Sequence, residues 1–319
     1  MKKNIGKSSL FITLLVIMVV ISSVIFMPRN NKKAYGVDYI TSSAIYSEPK
    51  NTIDAIALGD SLVYSSISPM KIYEDYGYTL YDASTPAQKL NESYEFLSRI
   101  YETQSPRYVF LETEELFKDL SWSKDLSSRV EYQVPLLRYH NRWKHLKLKD
   151  LQKTMKYTHT DYMKGFRYYP QVTPAKKFKK PSDQITTTNL NYLKKIMTLT
   201  KTHHTKLIMI YLPCLKTWSI KRHNKLTKLF KKHYPFIDFN MIPTLNINWD
   251  EDSRDGGDHL NYHGAMKVTD YFGQYLHKHT DLKSHAADPL YDSYELSLLL
   301  YKRKVKETRA QVPNHIKRT

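Results

Sequence analysis

An α/β fold built on a parallel sheet is predicted by short apolar runs that alternate with amphipathic helical stretches. Two further observations support it. Gly59-Asp60-Ser61 closes the first apolar run, and an Asp-His loop, Asp255 to His259, precedes the last long helical stretch of the domain. Reactive residue types therefore fall at strand and helix ends, where open α/β sheets gather ligands.

Taken in order, the run from Leu10 to Met27 carries no charge. At about 1.5 Å per residue it nearly spans a hydrocarbon core of about 30 Å, so residues 1–30 read as a membrane anchor. The run exceeds a signal-peptide core of about 7–15 residues, and no small-x-small cleavage site follows before Pro28. Lys2, Lys3 and Lys7 before it are balanced by Arg29, Lys32 and Lys33 after it, so charge alone leaves the orientation open. Residues 31–50 are polar and read as a stalk.

Ile53–Ser61 has the pattern of a buried parallel strand opening into a turn. Met70–Gly77 suggests a helix stopped by glycine, and Tyr78–Ser84 a second strand. The stretch from Leu90 suggests an amphipathic helix with Leu90, Tyr94, Leu97 and Tyr101 on one face. A third strand begins at Arg107. Residues 117–182, rich in Lys, Tyr and Trp, show no clear strand and suggest a mostly helical insertion, a lid or substrate wall. Alternation then resumes with a helix from Asn189, a strand Lys206–Pro213, a helix from Lys221 and a strand Phe236–Asn240. The last helix of the 51–285 domain is expected from about His263 to His279, and residues 286–319 form a charged helix and basic tail.

Composition narrows the function. A single cysteine, Cys214, rules out an intrachain disulfide and cysteine-rich zinc clusters. The net charge of +18 attracts polyanions, and beside an export-type N-terminus an anionic wall or membrane polymer fits better than nucleic acid. No nucleic-acid-binding motif is present. No cofactor or metal is expected.

The chemistry rests on Ser61 and His259 with Asp255 and Asp258. A serine hydroxyl is a weak nucleophile until an imidazole takes its proton, and the imidazole needs a carboxylate to fix its tautomer. Either aspartate could serve. Asp255 is preferred, because neighbours in an extended loop point their side chains apart.

The sequence resembles the SGNH/GDSL hydrolase superfamily through LGDSLVYSSISP at Leu58–Pro69 and DGGDHLNYHGA at Asp255–Ala265. With the apolar N-terminus, STPAQ at Ser84–Gln88 and RYHNRW at Arg138–Trp143, it looks similar to the membrane-anchored branch that includes DltD-type D-alanyl-lipoteichoic acid biosynthesis proteins and SGNH proteins associated with membrane-bound O-acyltransferases. The resemblance implies a flavodoxin-like three-layer sandwich, a catalytic domain outside the cytoplasm on a single-pass anchor, and acyl-ester hydrolysis or O-acyl transfer on a cell-surface glycopolymer, with a membrane-bound O-acyltransferase as an expected partner.

The pattern departs from the family in three places. The aspartate stands four residues before the histidine, not three, and the Gly and Asn that complete the family's oxyanion hole are not evident. STPAQ and Leu111–Glu114 occupy their places, which makes the Ser61 N–H and Gln88 the expected hole donors. His140, Arg142 and Trp143 suggest binding of sugar or phosphate, or equally helix packing with surface charge; Asn261 is a substrate-binding candidate, while the commoner role of an Asn before a helix is to fix the loop by side-chain to backbone bonds. The missing hole residues also support a rival reading, an inactive adaptor that binds a wall polymer or scaffolds an acyltransferase.

Overall fold

The computed structural model describes residues 2–32, 40–146, 155–179, 181–231 and 233–311. Its chain divides into two compact units, one of residues 1–47 and 121–159, the other of residues 48–120 and 160–319.

The first unit contains helix α1 (Lys2–Phe26), α2 (Ile40–Ser43), α6 (Trp122–Gln133) and α7 (Pro135–Arg138). Gly6–Phe26 of α1 is long and apolar enough to cross a membrane, and most of its large apolar side chains, Leu10 and Phe11 through Ile21 and Val24, are exposed. Its last turn has no basic residue of its own. Arg142 supplies one, donating from Nη1 to the carbonyls of Phe26 at 2.7 Å and Met27 at 2.5 Å, where the helix dipole is negative. Residues 40–47, expected as part of a stalk, form short helical turns with Ala44 and Ile45 fully buried. Their apolar side chains drive that packing.

The second unit holds a five-stranded parallel sheet: β1 (Ala55–Gly59), β2 (Leu80–Ser84), β3 (Tyr108–Glu112), β4 (Lys206–Tyr211) and β5 (Phe236–Asp238), ordered β2-β1-β3-β4-β5. This is the doubly wound order in which the strand sequence reverses at β1, opening a crevice at its carboxyl end. Register pairs Gly59 with Ser84 and Leu58 with Leu111. Every residue of β1, β2 and β3 is buried, as parallel strands covered on both faces must be.

Helices α3 (Ser61–Ser66), α4 (Pro69–Tyr76) and α10 (Tyr262–His279) pack together with α11 (Asp292–Gln311) outside α4, while α5 (Leu90–Ile100) and α8 (Thr187–Thr202) pack on each other over β1 and β4; α9 (Ile220–Phe230) lies against β5. The core includes Val63, Phe110, Ile210, Val268 and Phe272, with Phe110 and Phe272 meeting edge to face at 4.8 Å.

Two expectations need correction. The buried residues of α5 are Leu90, Asn91, Ser93, Phe96, Leu97 and Ile100, while Tyr94 is half-buried, its ring 5.9 Å from that of Tyr192. Among the described residues of 117–182, helical structure beyond Phe117 lies between Trp122 and His145, and those from 155 to 182 have neither regular helix nor strand. Gly165 explains part of this: at φ +96° it brings the chain so close to β2 that a Cβ would lie 2.3 Å from the Asp82 carbonyl.

Candidate active site

β1 ends at Gly59 because the chain must turn tightly there. A Cβ on Gly59 would sit 2.6 Å from the Glu112 Cβ and 2.7 Å from a Val63 methyl. Asp60 then caps α3, its Oδ1 accepting from the Leu62 N–H at 2.9 Å. Ser61 is thereby the first residue of α3, projecting at the carboxyl edge of the sheet.

The second half is built by residues 252–261. Ser253 Oγ accepts from the N–H groups of Gly256 at 3.0 Å and Gly257 at 2.6 Å. Both glycines have positive φ, +92° and +109°, a conformation other residues adopt only with strain. The curl returns the chain on itself, so that Asp255 Oδ1 accepts the backbone N–H of His259 at 2.8 Å. Asp255 Oδ2 meets His259 Nδ1 at 2.6 Å, and His259 Nε2 lies 2.7 Å from Ser61 Oγ. The two glycines are the reason a four-residue spacing works.

Asp255 thus orients the imidazole. Asp258 does not: its Oδ2 is 2.5 Å from Lys216 Nζ. The loop is curled rather than extended, so the preference for Asp255 holds for a different reason than alternation. Burial acts to raise the Asp255 carboxyl, but hydrogen bonds from the His259 ring and backbone outweigh it and hold it at about 2. Arg254 adds a guanidinium 3.7 Å from the same oxygen. With the carboxylate on Nδ1, that nitrogen carries the proton and Nε2 presents its lone pair to the serine hydroxyl.

A cavity of about 300 Å³ opens on this relay, lined by Ser61, Ala87, Glu114, Lys118, Lys216 and His259. Lys118 donates to the Asp60 carboxylate and, at 2.8 Å, to the Gln88 carbonyl. Burial works against its charge, yet Asp60, Glu114 and Glu115 outweigh burial and hold its pKa above the ordinary lysine value. Ser61 is therefore flanked by a buried charge cluster that local sequence patterns did not reveal; the density of charge in Glu112–Lys118 is the signal for it.

Several expected site residues serve elsewhere. Gln88 is buried, its amide donating to Ser93 Oγ at 2.8 Å and its carbonyl accepting from Thr85 at 2.9 Å, so its side chain is not free to serve an oxyanion. Its neighbour Ala87, at φ +55°, lines the cavity instead. Asn261 is the cap of α10, accepting from Gly264 N–H and donating to the Glu251 carbonyl at 2.7 Å, and is buried, which removes it from substrate binding. Arg142 is only 1% exposed and spent on the end of α1, so it cannot fork onto a phosphate. His140 and Trp143 are exposed in the same unit as Arg142. Ligand atoms of Asp255, Asp258 and His259 lie within 4.8 Å of one another, spacing that could hold a metal ion. The hydrogen bonds to Ser61, His259 and Lys216 already satisfy them without one.

No family model matches the sequence, and no curated protein does. Among solved structures, the fold is similar to that of a protein of Desulfitobacterium hafniense assigned to the lipolytic G-D-S-L family, with 12% identity, a TM-score of 0.40, and coverage of 71% of this chain and 100% of that one. It is similar also to the psychrotrophic esterase EstA from Pseudoalteromonas (12% identity, TM-score 0.38, 70% of this chain and 96% of that one). A GDSL-like lipase from Bacteroides thetaiotaomicron is similar at 12% identity and a TM-score of 0.36, with 77% and 99% covered. At these identities the likeness to GDSL-type lipolytic hydrolases is one of fold.

Proposed function

We propose that this protein is a serine-dependent acyl esterase or O-acyltransferase, tethered to the cell membrane by α1 with its catalytic domain outside the cytoplasm, acting on a cell-surface glycopolymer beside a membrane-bound acyl donor. The observation that carries the chemistry is the continuous relay from Asp255 through His259 to Ser61, at 2.6 and 2.7 Å.

In the proposed reaction Ser61 Oγ bonds to the ester carbonyl carbon while its proton passes to His259 Nε2. The carbonyl oxygen takes the negative charge. Its donors in this reading are the Ser61 N–H, which as the first of a helix has no intrahelical acceptor, and the Ala87 N–H. Collapse breaks the bond to the leaving alcohol, which receives the proton from His259. Acyl-Ser61 then passes its acyl group to water, giving hydrolysis, or to a polymer hydroxyl, giving transfer; His259 takes the proton of the attacking oxygen and returns it to Ser61 Oγ as the acyl–Oγ bond breaks. The substrate class draws support from the +18 charge, which favours an anionic polymer such as a teichoic acid.

A fluorophosphonate probe tests the reading. Wild type is expected to be labelled and Ser61→Ala not; equal labelling of both would remove Ser61 as nucleophile. Comparison of polymer-linked esters in cells carrying each form names the acyl group and acceptor. Polymer binding that Ser61→Ala leaves intact, without turnover of simple esters by wild type, would favour the adaptor instead.

A further inference from the structure

The helix α11 has two faces of different use. Tyr294, Tyr301 and Val305 are buried against the rest of the domain. The opposite face carries Leu296, Leu299 and Leu300, exposed at 60%, 67% and 41%, and Leu290 just before the helix is exposed at 59%. Such a row of leucines in water costs free energy with nothing gained in folding. The next turns replace the leucines with cations, Lys302, Arg303, Lys304 and Lys306, all exposed.

The cations also border a cleft of about 350 Å³ between α4, α10 and α11, where Lys71, Lys302 and Lys306 meet the rings of Tyr262 and Tyr301. Glu74 is the carboxylate in this cleft and pairs with Lys302 at 3.0 Å. Lys71 pairs with Asp75 at 2.5 Å, so the excess positive charge of this cleft rests on Lys306. Apolar side chains followed by lysine and arginine, with tyrosines at the boundary, is the composition of helices that lie in the interface of an anionic bilayer.

We propose that the exposed face of α11 is a second membrane contact, in which Leu296, Leu299 and Leu300 enter the headgroup boundary of an anionic bilayer and Lys302, Arg303, Lys304 and Lys306 meet its phosphates. The occupant is chosen by charge: Arg303 pairs with Glu307 at 2.8 Å and Lys302 with Glu74 at 3.0 Å, yet four cations against one carboxylate between Lys302 and Glu307 leave this end of the helix positive, which an anionic surface complements and a neutral apolar partner would not. An apolar face on its own binds weakly and reversibly, but α1 raises the local concentration of membrane, so a modest affinity suffices. The contact is independent of the chemistry at Ser61.

The test uses the full chain in lipid nanodiscs. Cys214 is fully buried, and burial pushes its thiol up to about 12, so a fluorophore directed at Leu299→Cys leaves it unmodified; wild type carried through the labelling verifies this. With anionic lipid in the disc, the probe at position 299 should lose its quenching by aqueous iodide and gain quenching by brominated acyl chains. A control probe at Asn191→Cys, exposed on α8, should stay open to iodide. Replacing Lys302, Arg303, Lys304 and Lys306 with Gln, or raising salt towards 1 M, where the Debye length is about 3 Å, should restore iodide quenching. A probe equally open to iodide in anionic and lipid-free samples overturns the proposal. So does equal protection in discs of neutral lipid alone, which would remove charge as the basis, and so does protection in detergent that grows with protein concentration, which would make the occupant a second copy of the chain.

Discussion

Replacing each aspartate of the Asp255–His259 loop by asparagine should separate two carboxylates only three positions apart by about three orders of magnitude in rate. In Asp255→Asn the side-chain oxygen still accepts the N–H groups of His259 and Asp258, now at 2.8 and 3.2 Å, so the loop keeps its curl. The amide NH2 then faces His259 Nδ1 and can only donate. The ring must hold its proton on Nε2, the nitrogen that faces Ser61 Oγ at 2.7 Å, and can no longer accept one. Loss of this kind costs about 10⁴ in rate, or about 5 kcal/mol of transition-state stabilisation. Asp258→Asn removes only an ion pair whose lysine is 48% exposed. Such a pair is worth about 0–1 kcal/mol, at most about fivefold in rate. The assay is kcat/KM on p-nitrophenyl acetate together with the rate of fluorophosphonate labelling, with melting curves to verify folding. Equal losses in the two variants, or an Asp255→Asn enzyme that keeps more than a tenth of its activity, would refute the assignment of roles.

Other expectations follow from burial and packing. The depressed Asp255 carboxyl contributes stability that is complete above the unfolded value of about 3.9 and is lost as pH falls through about 2; melting of wild type and Asp255→Asn should therefore differ at pH 5 and converge towards pH 2, by no more than about 1 kcal/mol given solvent screening. A gap that widens on acidification would contradict it. Glu112 has the opposite sign: burial, then the charges of Asp60, Glu114 and Glu115, raise its carboxyl well above the ordinary value, so stability falls as pH rises above about 4.3. Glu112→Gln, which keeps an acceptor for the Glu114 N–H, should match wild type near pH 4 and melt higher near pH 8; a pH-independent difference would count against this. Gly59→Ala forces a methyl into contacts of 2.6 and 2.7 Å and should cost about 1–3 kcal/mol, seen as a melting temperature several degrees lower, while an unchanged melt would mean the turn is looser than described.

Much of this fold was legible because parallel strands are short apolar runs and helices repeat with a period near 3.6. All five strands fall within the runs read from the sequence, and α10 begins one residue before its expected start. What escaped were features decided by which side chains meet once the chain is folded. Leu90, Tyr94, Leu97 and Tyr101 share a helical face on paper, but Phe96 and Ile100 have more apolar surface to bury and rotate α5 inward. At the site, Ser61 and His259 were readable from local patterns, since Gly-Asp-Ser after a strand and Asp-His before a helix are both short-range signals. Gln88 was misjudged because Ser93 and Thr85, each a short distance along the chain, satisfy its amide from both ends. Lys118 was missed because its partner Asp60 lies 58 residues away. Arg142 looked like a phosphate ligand for the same reason: nothing near it in sequence announces the carbonyls that it serves.

That last arrangement bears on how the chain is processed. If a peptidase removed α1, the guanidinium of Arg142, 1% exposed with the helix in place, would lose its acceptors at the helix end. A charged donor stranded in that way costs more than the roughly 1–3 kcal/mol of an unmet neutral group. The exposed apolar surface of α1 gives nothing to folding in water, whereas this clasp at its end does contribute. Retention of the helix keeps a cation 115 residues downstream satisfied.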